Sequence, residues 1–361
     1  VARIHIKEAL MATLDDIVSV DIHLNTTGIG RANFGTIMVF SRNTDYVAGK
    51  APAADSVSTY NRLSDINGVV SINTPTHRVL TAIFSQSPRP RSVKVFMSAI
   101  GASGKWTPAN LATAIQKDSD WYAAVIAGES LDMIEFAKAI EAERRLFVTD
   151  QLTPKAAKDQ NLYRTAVIVG AEGSGVTAGA WAAKCLGYAA GSETWALKQL
   201  AGVQPASLTP QQDQEVLNNN GTVFSRMSAS LNLTRGGKVA GGEWVDVIRF
   251  RDWLQDVMQT NLVATLINRP KLPYTDEGLA VIESSMIKSL EEGVKAGGVV
   301  DWRDNGEGQL VRGYTVTVPQ AKDVPFNVKA SRVAHVSFSA YLTGAIHAIE
   351  VTGSFTYDGA L

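Results

Sequence analysis

The chain has 361 residues, 45% of them hydrophobic and 19% charged, with a formal net charge of −1. That composition builds a folded, core-bearing protein of two domains. It excludes a disordered chain, and it lacks the concentration of Lys and Arg that nucleic acid as the main partner requires. The single cysteine, Cys185, excludes an intrachain disulfide and a thiolate metal cluster, and no apolar run approaches the ~20 residues of a membrane span.

VARIHIKEAL at the start carries no signal-peptide pattern, so a reducing cytoplasm is expected until assembly or release. Met11 reads as a second plausible start, with residues 1–10 as an extension. Val18, Val20, Ile22 and Leu24 alternate with Ser19, Asp21 and His23, which predicts a half-buried strand. From Ala32 onward, strands at 34–40, 92–97, 121–127, 146–149 and 165–169 alternate with helices at 76–85, 109–116 and 131–144. Thr107-Pro108 puts proline in a first helical turn. Strands alternating with helices predict a largely parallel sheet covered on both sides. An alanine-rich helix follows at 178–187, with Cys185 as a small buried residue. Thr209-Pro210 opens a short helix through Leu217, and Asn218-Asn219-Asn220-Gly221 is a turn. Gly236, Gly237, Gly241 and Gly242 suit a boundary loop or hinge.

The longest helical pattern comes next. Val247, Phe250, Leu254, Val257, Met258 and Leu262 share one face, expected to be buried. Arg249, Asp252, Gln255, Asp256 and Gln259 share the other, expected to be wet. Pro270 ends this helix. Thr275 caps a second one, with Asp276 and Glu277 in its first turn and Leu279, Ile282, Met286 and Leu290 along its stripe. Gly297 and Gly298 close it. Strand patterns then occur at 314–318, at Val336, Phe338, Ala340 and Leu342, and at Ile349, Val351, Phe355 and Tyr357.

Residues with reactive chemistry are sparse. The histidines His5, His23, His77, His335 and His347 make no metal-binding spacing, and no HExxH occurs. His335 and His347 fall in strand patterns and are expected to be solvated or satisfied. VIVGAEGSG, residues 167–175, runs from a strand through a glycine-rich turn into a helix, as dinucleotide folds do around pyrophosphate. Its glycines, Gly170, Gly173 and Gly175, do not follow the GxGxxG order. No Lys-Ser or Lys-Thr follows, and Ser174 lacks the GxSxG elbow. An α/β nucleotide-binding enzyme using the Gly170 to Gly175 turn is the competing function. Asp118, Asp120, Asp150 and Asp159 lie near element ends, where paired carboxylates suit magnesium but more often cap turns. No catalytic residue, cofactor or metal is expected.

GEWVDVIRFRDWLQ, 242–255, followed by RPKLPYTDEG, 269–278, resembles the C-terminal domain of contractile tail sheath proteins of tailed bacteriophages. GSETWALKQLAGV (191–203), RANFGTIMVF (31–40) and FSQSPRPRSVKVF (84–96) resemble segments of the same family in the same order. Residues 99–159 match only in general α/β character. The resemblance implies an inner C-terminal α+β domain, 236–345, completed by the N-terminal strand. It implies an inserted outer α/β domain, 26–235, and extended arms at 1–25 and 346–361.

It further implies a non-enzymatic subunit that polymerises as six-membered rings stacked helically around a tail tube. Its partners would be itself, the tube protein, and baseplate and tail terminator proteins, with no nucleic acid and no membrane insertion. The setting would be a virion tail assembled in host cytoplasm, or alternatively a bacteriocin or injection-system sheath. Arms from neighbours would add strands to the inner sheet, because an unpaired sheet edge templates another strand. Val18, Val20, Ile22, Leu24, Ile349, Val351 and Phe355 would set the register. Both tails folding back on their own body is the alternative. Gly28, Gly30 and Gly344 would serve as hinges. Lys288, Glu291, Glu292 and Lys295 would face the tube, or form an ordinary solvated face.

Overall fold

The computed structural model describes residues 31–100, 104–130 and 132–352. Strand β1 (Ile37–Arg42) is buried along its whole length, as an apolar run must be in a parallel strand covered on both faces. An eight-stranded sheet is built around it, in the order β2-β3-β1-β4-β5-β6-β7-β8. The other strands are β2 (Ser56–Tyr60), β3 (Val93–Ser98), β4 (Ala123–Ile126), β5 (Leu146–Thr149), β6 (Thr165–Val169), β7 (Thr222–Ser228) and β8 (Leu231–Arg235). Neighbours from β3 through β7 run parallel, and the two edge strands, β2 and β8, pair antiparallel.

Alternate residues of β1 feed two cores. Ile37 and Val39 pack with Val79, Leu80 and Ile83 of α1 (Pro75–Phe84) and with α5 (Val176–Leu186). Met38 and Phe40 pack with α2 (Pro108–Lys117), α3 (Met133–Ile140) and Ala157 of α4 (Pro154–Asp159). The second layer is aromatic: Phe40 has Phe96, Trp106, Trp121 and Phe136 around it, with ring centroids 5.1 to 6.2 Å away. Such tilted and edge-on rings add roughly 0.5–1.5 kcal/mol per pair beyond their burial.

Four helices begin with threonine followed by proline: Thr74-Pro75, Thr107-Pro108, Thr153-Pro154, and Thr209-Pro210 at α6 (Pro210–Asn218). Threonine accepts from an amide of the first turn in α1, α4 and α6, and proline sits where no N–H is needed. The glycine cluster after β8 is tied down. Gly237 N–H donates to Thr222, Ala240 N–H to Thr165, and Gly241 N–H to Leu162, so this loop is not a free hinge.

Helix α7 (Val245–Ile267) ends three residues before Pro270. Helix α8 (Asp276–Ala296) starts on Thr275, whose Oγ1 accepts from Gly278 N–H at 3.3 Å, and it stops at Gly297, with φ +89°. A third, smaller core lies against these two helices: Phe250, Leu254, Leu290, Val299 and Tyr314. Beside it run the hairpin β9 (Trp302–Asp304) and β10 (Leu310–Arg312), the helix α9 (Phe326–Ser331), and the two-stranded sheet of β11 (Tyr314–Thr317) and β12 (Ser337–Ala340).

Sequence patterning misplaced the second face of α7. Val245 and Ile248 enter the large core, and Arg249 and Asp252 are buried at 2% and 1% exposure. Only Gln255 and Gln259 of the expected wet face are exposed. The helix is therefore buried on two sides in its first half. Helix 131–144 is shorter than the spacing suggests, at Met133–Ile140. The tail from 341 to 352 forms no named strand. Val18, Val20, Ile22, Leu24, Gly28, Gly30 and Phe355 lie outside the described residues.

Candidate assembly surface

The glycine-rich turn lies at the carboxyl ends of the parallel strands, where doubly wound folds bind ligands. Strand β1 is flanked by β3 and β4, so connections leave it in both directions there. In this chain the helix N-termini at that place already hold carboxylates of the chain itself. Asp150, just after β5, accepts from Gly175 N–H at 2.8 Å and from Ala178 N–H at 3.2 Å at the start of α5. Asp45 accepts from Thr76 N–H at 3.0 Å and Thr76 Oγ1 at 2.6 Å at the start of α1. A helix N-terminus attracts one anion to its free amides. Here the anion is a side chain. Burial pushes the Asp150 carboxyl up to about 6, against the pull of those amides.

Gly175 sits at φ +86°, and a Cβ there would overlap the carbonyl oxygen of Ile126. The turn is tight because helix α5 starts against strand β4. Arg42, at the end of β1, donates to the carbonyls of Gly104 and Glu129. The crevice is thus closed by protein groups.

The other candidate acids are also engaged. Asp118 and Asp120 hold the Lys94 ammonium at 2.7 and 3.3 Å, and Asp159 meets Lys155 at 2.7 Å. No group of three or more His, Cys, Asp or Glu among the described residues is placed to share a metal ion. Cys185 is fully buried, and burial pushes its thiol well up. His335 and His347 are not in strands. His347 Nε2 is 2.7 Å from Thr194 Oγ1, with its ring edge-on to Trp244, and burial lowers its affinity for a proton.

Two buried polar clusters bind α7 to the sheet domain. Arg249 donates to the carbonyls of Phe34, Cys185 and Tyr188 and forms an ion pair with Glu193, whose side chain is wholly buried. Asp252 accepts from Tyr122 Oη at 2.9 Å and from Arg164 at 2.6 and 3.2 Å. Sequence reasoning missed these residues because a charge at helical spacing is read as solvent-facing. Their partners come from segments 56 to 215 residues away.

On its other side α7 borders an open apolar groove of about 590 Å³. The groove is lined by Phe250, Leu254, Met258, Val299, Phe338 and Leu342, among others. Strand β12 pairs only with β11, and β11 only with β12, among the described residues. Past β12 the chain stays hydrogen-bonded to the body through Tyr341 and Thr343 and touches it again at His347, with apolar side chains between and beyond left in solvent. Ile346, Ile349 and Val351 are 80%, 82% and 87% exposed. Gly344, at φ +66°, has open space where a Cβ would stand. On α8, Lys288 and Lys295 are exposed, while Glu291 and Glu292 are half-buried. Glu292 turns toward Arg31 at 2.8 Å and Asn261 at 3.1 Å, so these four do not present one free face.

The whole-chain fold is that of contractile sheath proteins. The chain superposes on the helical sheath of the anti-feeding prophage in its contracted state with a TM-score of 0.68, at 13% identity, covering 93% of this chain and 98% of that one. It superposes on the sheath of an extracellular contractile injection system, the PVC sheath complex in its contracted state, with a TM-score of 0.66, at 12% identity, covering 98% of each chain. A chain of the anti-feeding prophage baseplate matches with a TM-score of 0.64, at 14% identity, covering 94% of this chain and 98% of that one. Residues 245–355 match the family model described as "E217 tail sheath protein gp31-like, C-terminal domain". A search among curated proteins found no match.

Proposed function

We propose that this chain is the structural subunit of a contractile tail sheath, with no catalytic activity. Copies polymerise as six-membered rings stacked helically around a tail tube, between a baseplate and a terminator. Contraction exchanges one set of subunit interfaces for a more extensive one, and the stored free energy is their difference, with no nucleotide consumed.

The observation that carries this reading is the tail beyond β12. Ile346, Ile349 and Val351 stand in solvent, while among the described residues the β11–β12 sheet keeps open edges beside an apolar groove. Apolar side chains left in water and main-chain groups left unpaired are both satisfied when a strand from another copy is added. The sheath-family match over 245–355 and the sheath fold support the same reading. In this scheme Val18, Val20, Ile22, Leu24, Ile349, Val351 and Phe355 set the register between copies. Gly28, Gly30 and Gly344 absorb the rotation. The left-handed φ of Gly344 and the space around it suit that role.

The inner domain is 236–345 and the outer domain 26–235, with α7 as the seam and arms at 1–25 and 346–361. Lys288, Glu291 and Lys295, with Glu292 partly turned away, supply a polar face to the tube, which must slide and so be weakly held. The setting is a virion tail assembled in the host cytoplasm, or alternatively a bacteriocin or injection-system sheath; the tail-sheath match over 245–355 supports the first and the whole-chain fold matches support the second.

Negative-stain microscopy of the purified chain tests this. The full chain should form tubes, and chains lacking 1–24 or everything after 346 should remain soluble monomers. Tubes from either truncation would defeat the strand-exchange reading. The competing nucleotide-binding function is opposed by Asp45 and Asp150, which occupy the two helix N-termini a phosphate would use.

A further inference from the structure

Assembly by itself does not account for one contact of the tail. From Gly344 to Thr352 every residue is exposed except His347. His347 Nε2 stands 2.7 Å from Thr194 Oγ1, and its ring lies edge-on to Trp244 with the centroids 4.6 Å apart. Both partners belong to the body: Thr194 lies between α5 and α6, and Trp244 is the residue before α7. Upstream, Thr343 is fastened twice, its N–H donating to Gly298 O at 3.2 Å and its Oγ1 to Gly297 O at 2.6 Å. Between Thr343 and His347 stand Gly344, at φ +66° with open space around it, and the exposed Ala345 and Ile346. His347 is thus a single point of attachment beyond a swivel.

Strength and register both mark this attachment as one that opens. Burial, then the nearby Lys198, hold the imidazole toward its neutral form, so the contact is one neutral hydrogen bond and one ring contact. Together these favour the attached tail by about tenfold, which thermal motion reverses readily. Register sets the competition. In an extended strand alternate residues share a face, so His347, Ile349 and Val351 fall on the same side. A tail added as a strand with Ile349 and Val351 turned into another copy turns His347 the same way, and takes it off Thr194. One face of the tail therefore serves either its own subunit or another.

We propose that His347 parks the C-terminal tail on its own subunit, against Thr194 and Trp244, and that this contact opens before the tail joins another copy. The contact is a brake on assembly. Only a subunit with its tail released is competent, so the apparent affinity of one copy for the next is lowered by the released fraction. The brake rests on the reading that the tail adds to other copies, whereas the parking itself is a property of the lone subunit.

The test compares the full chain with its variants Thr194→Val and His347→Ala. Thr194→Val removes the hydrogen bond and leaves the tail sequence intact, so it separates parking from any contact His347 makes after docking. Tube formation is followed by light scattering and negative-stain microscopy. The protein concentration at which tubes appear should fall by about fivefold in Thr194→Val and by about tenfold in His347→Ala. Below that concentration, fluorine NMR of full chains carrying 5-fluorotryptophan reads the parking directly. The Trp244 signal, assigned with Trp244→Phe, should move in the same direction in both variants. A Trp244 signal unmoved in either variant would overturn the proposal. A tube threshold in Thr194→Val equal to that of the wild type would overturn it as well. A wild-type chain that forms no tubes defeats the sheath reading instead, and the fluorine signal then decides alone whether the tail is parked.

Discussion

Replacing Arg249 with alanine removes the donor that four acceptors share: the carbonyls of Phe34, Cys185 and Tyr188 and the carboxylate of Glu193. Both side chains of the pair are at most 2% exposed, so water cannot take the place of the guanidinium without opening the seam between α7 and the sheet domain. Breaking one side of a buried ion pair costs about 3–5 kcal/mol, because the remaining charge keeps its desolvation penalty. With a urea slope of about 3 kcal/mol/M for a chain of this size, the unfolding midpoint should fall by about 1–1.7 M. The companion variant Arg249→Met with Glu193→Met removes both charges and leaves only three carbonyls without a donor. It should recover at least ~1.5 kcal/mol of the loss. Urea titration by tryptophan fluorescence reads both variants. If Arg249→Ala costs less than ~1 kcal/mol at unchanged slope, or if the double variant is no better than the single, the ion pair does not hold α7 in place.

Asp150 predicts a pH dependence. Its folded carboxyl lies at about 6, above the roughly 3.9 of an unfolded aspartate. Between those values the folded state binds the proton and the unfolded state does not, so stability falls as pH rises from about 4 to about 6. The change is on the order of 2–3 kcal/mol, and stability levels off on either side. Asp150→Asn should flatten that part of the stability–pH curve, read from urea midpoints. An unchanged slope would show that another group is responsible. Gly175→Ala should destabilise by more than ~2 kcal/mol, since its Cβ meets the Ile126 carbonyl at positive φ. Gly173→Ala, with open space at its Cβ, should cost under ~1 kcal/mol in the same assay. Ile349→Ser with Val351→Ser should shift the monomer's unfolding midpoint by less than 1 °C, because these side chains bury almost nothing. A larger shift in calorimetry would mean that they pack on their own body.

Local chemistry made much of this protein legible in its sequence. The Thr-Pro pairs at four helix starts, Pro270 after α7, and Gly297 after α8 act within one turn of the chain, so their meaning survives without tertiary context. The apolar runs of β1, β3 and β6 identified central parallel strands for the same reason: both faces are buried whatever covers them. The alternation after Gly344 was readable as strand-like, although the described residues there, 345–352, adopt no strand.

Three matters were decided only in three dimensions. The edge strands β2 and β8 have mixed burial and take their place from the neighbours they pair with. Whether the Gly170 to Gly175 turn is open to an anion depended on Asp150, which comes from the adjacent strand's loop and is bound to the amides a phosphate would need. Whether Arg249 and Asp252 face water depended on Glu193, Tyr122 and Arg164, which no spacing within α7 can reveal. A charged residue at helical period is normally wet, because burial costs it several kcal/mol. It is buried here because the fold brings opposite charges and carbonyls to it from distant segments, and that supply is a property of topology.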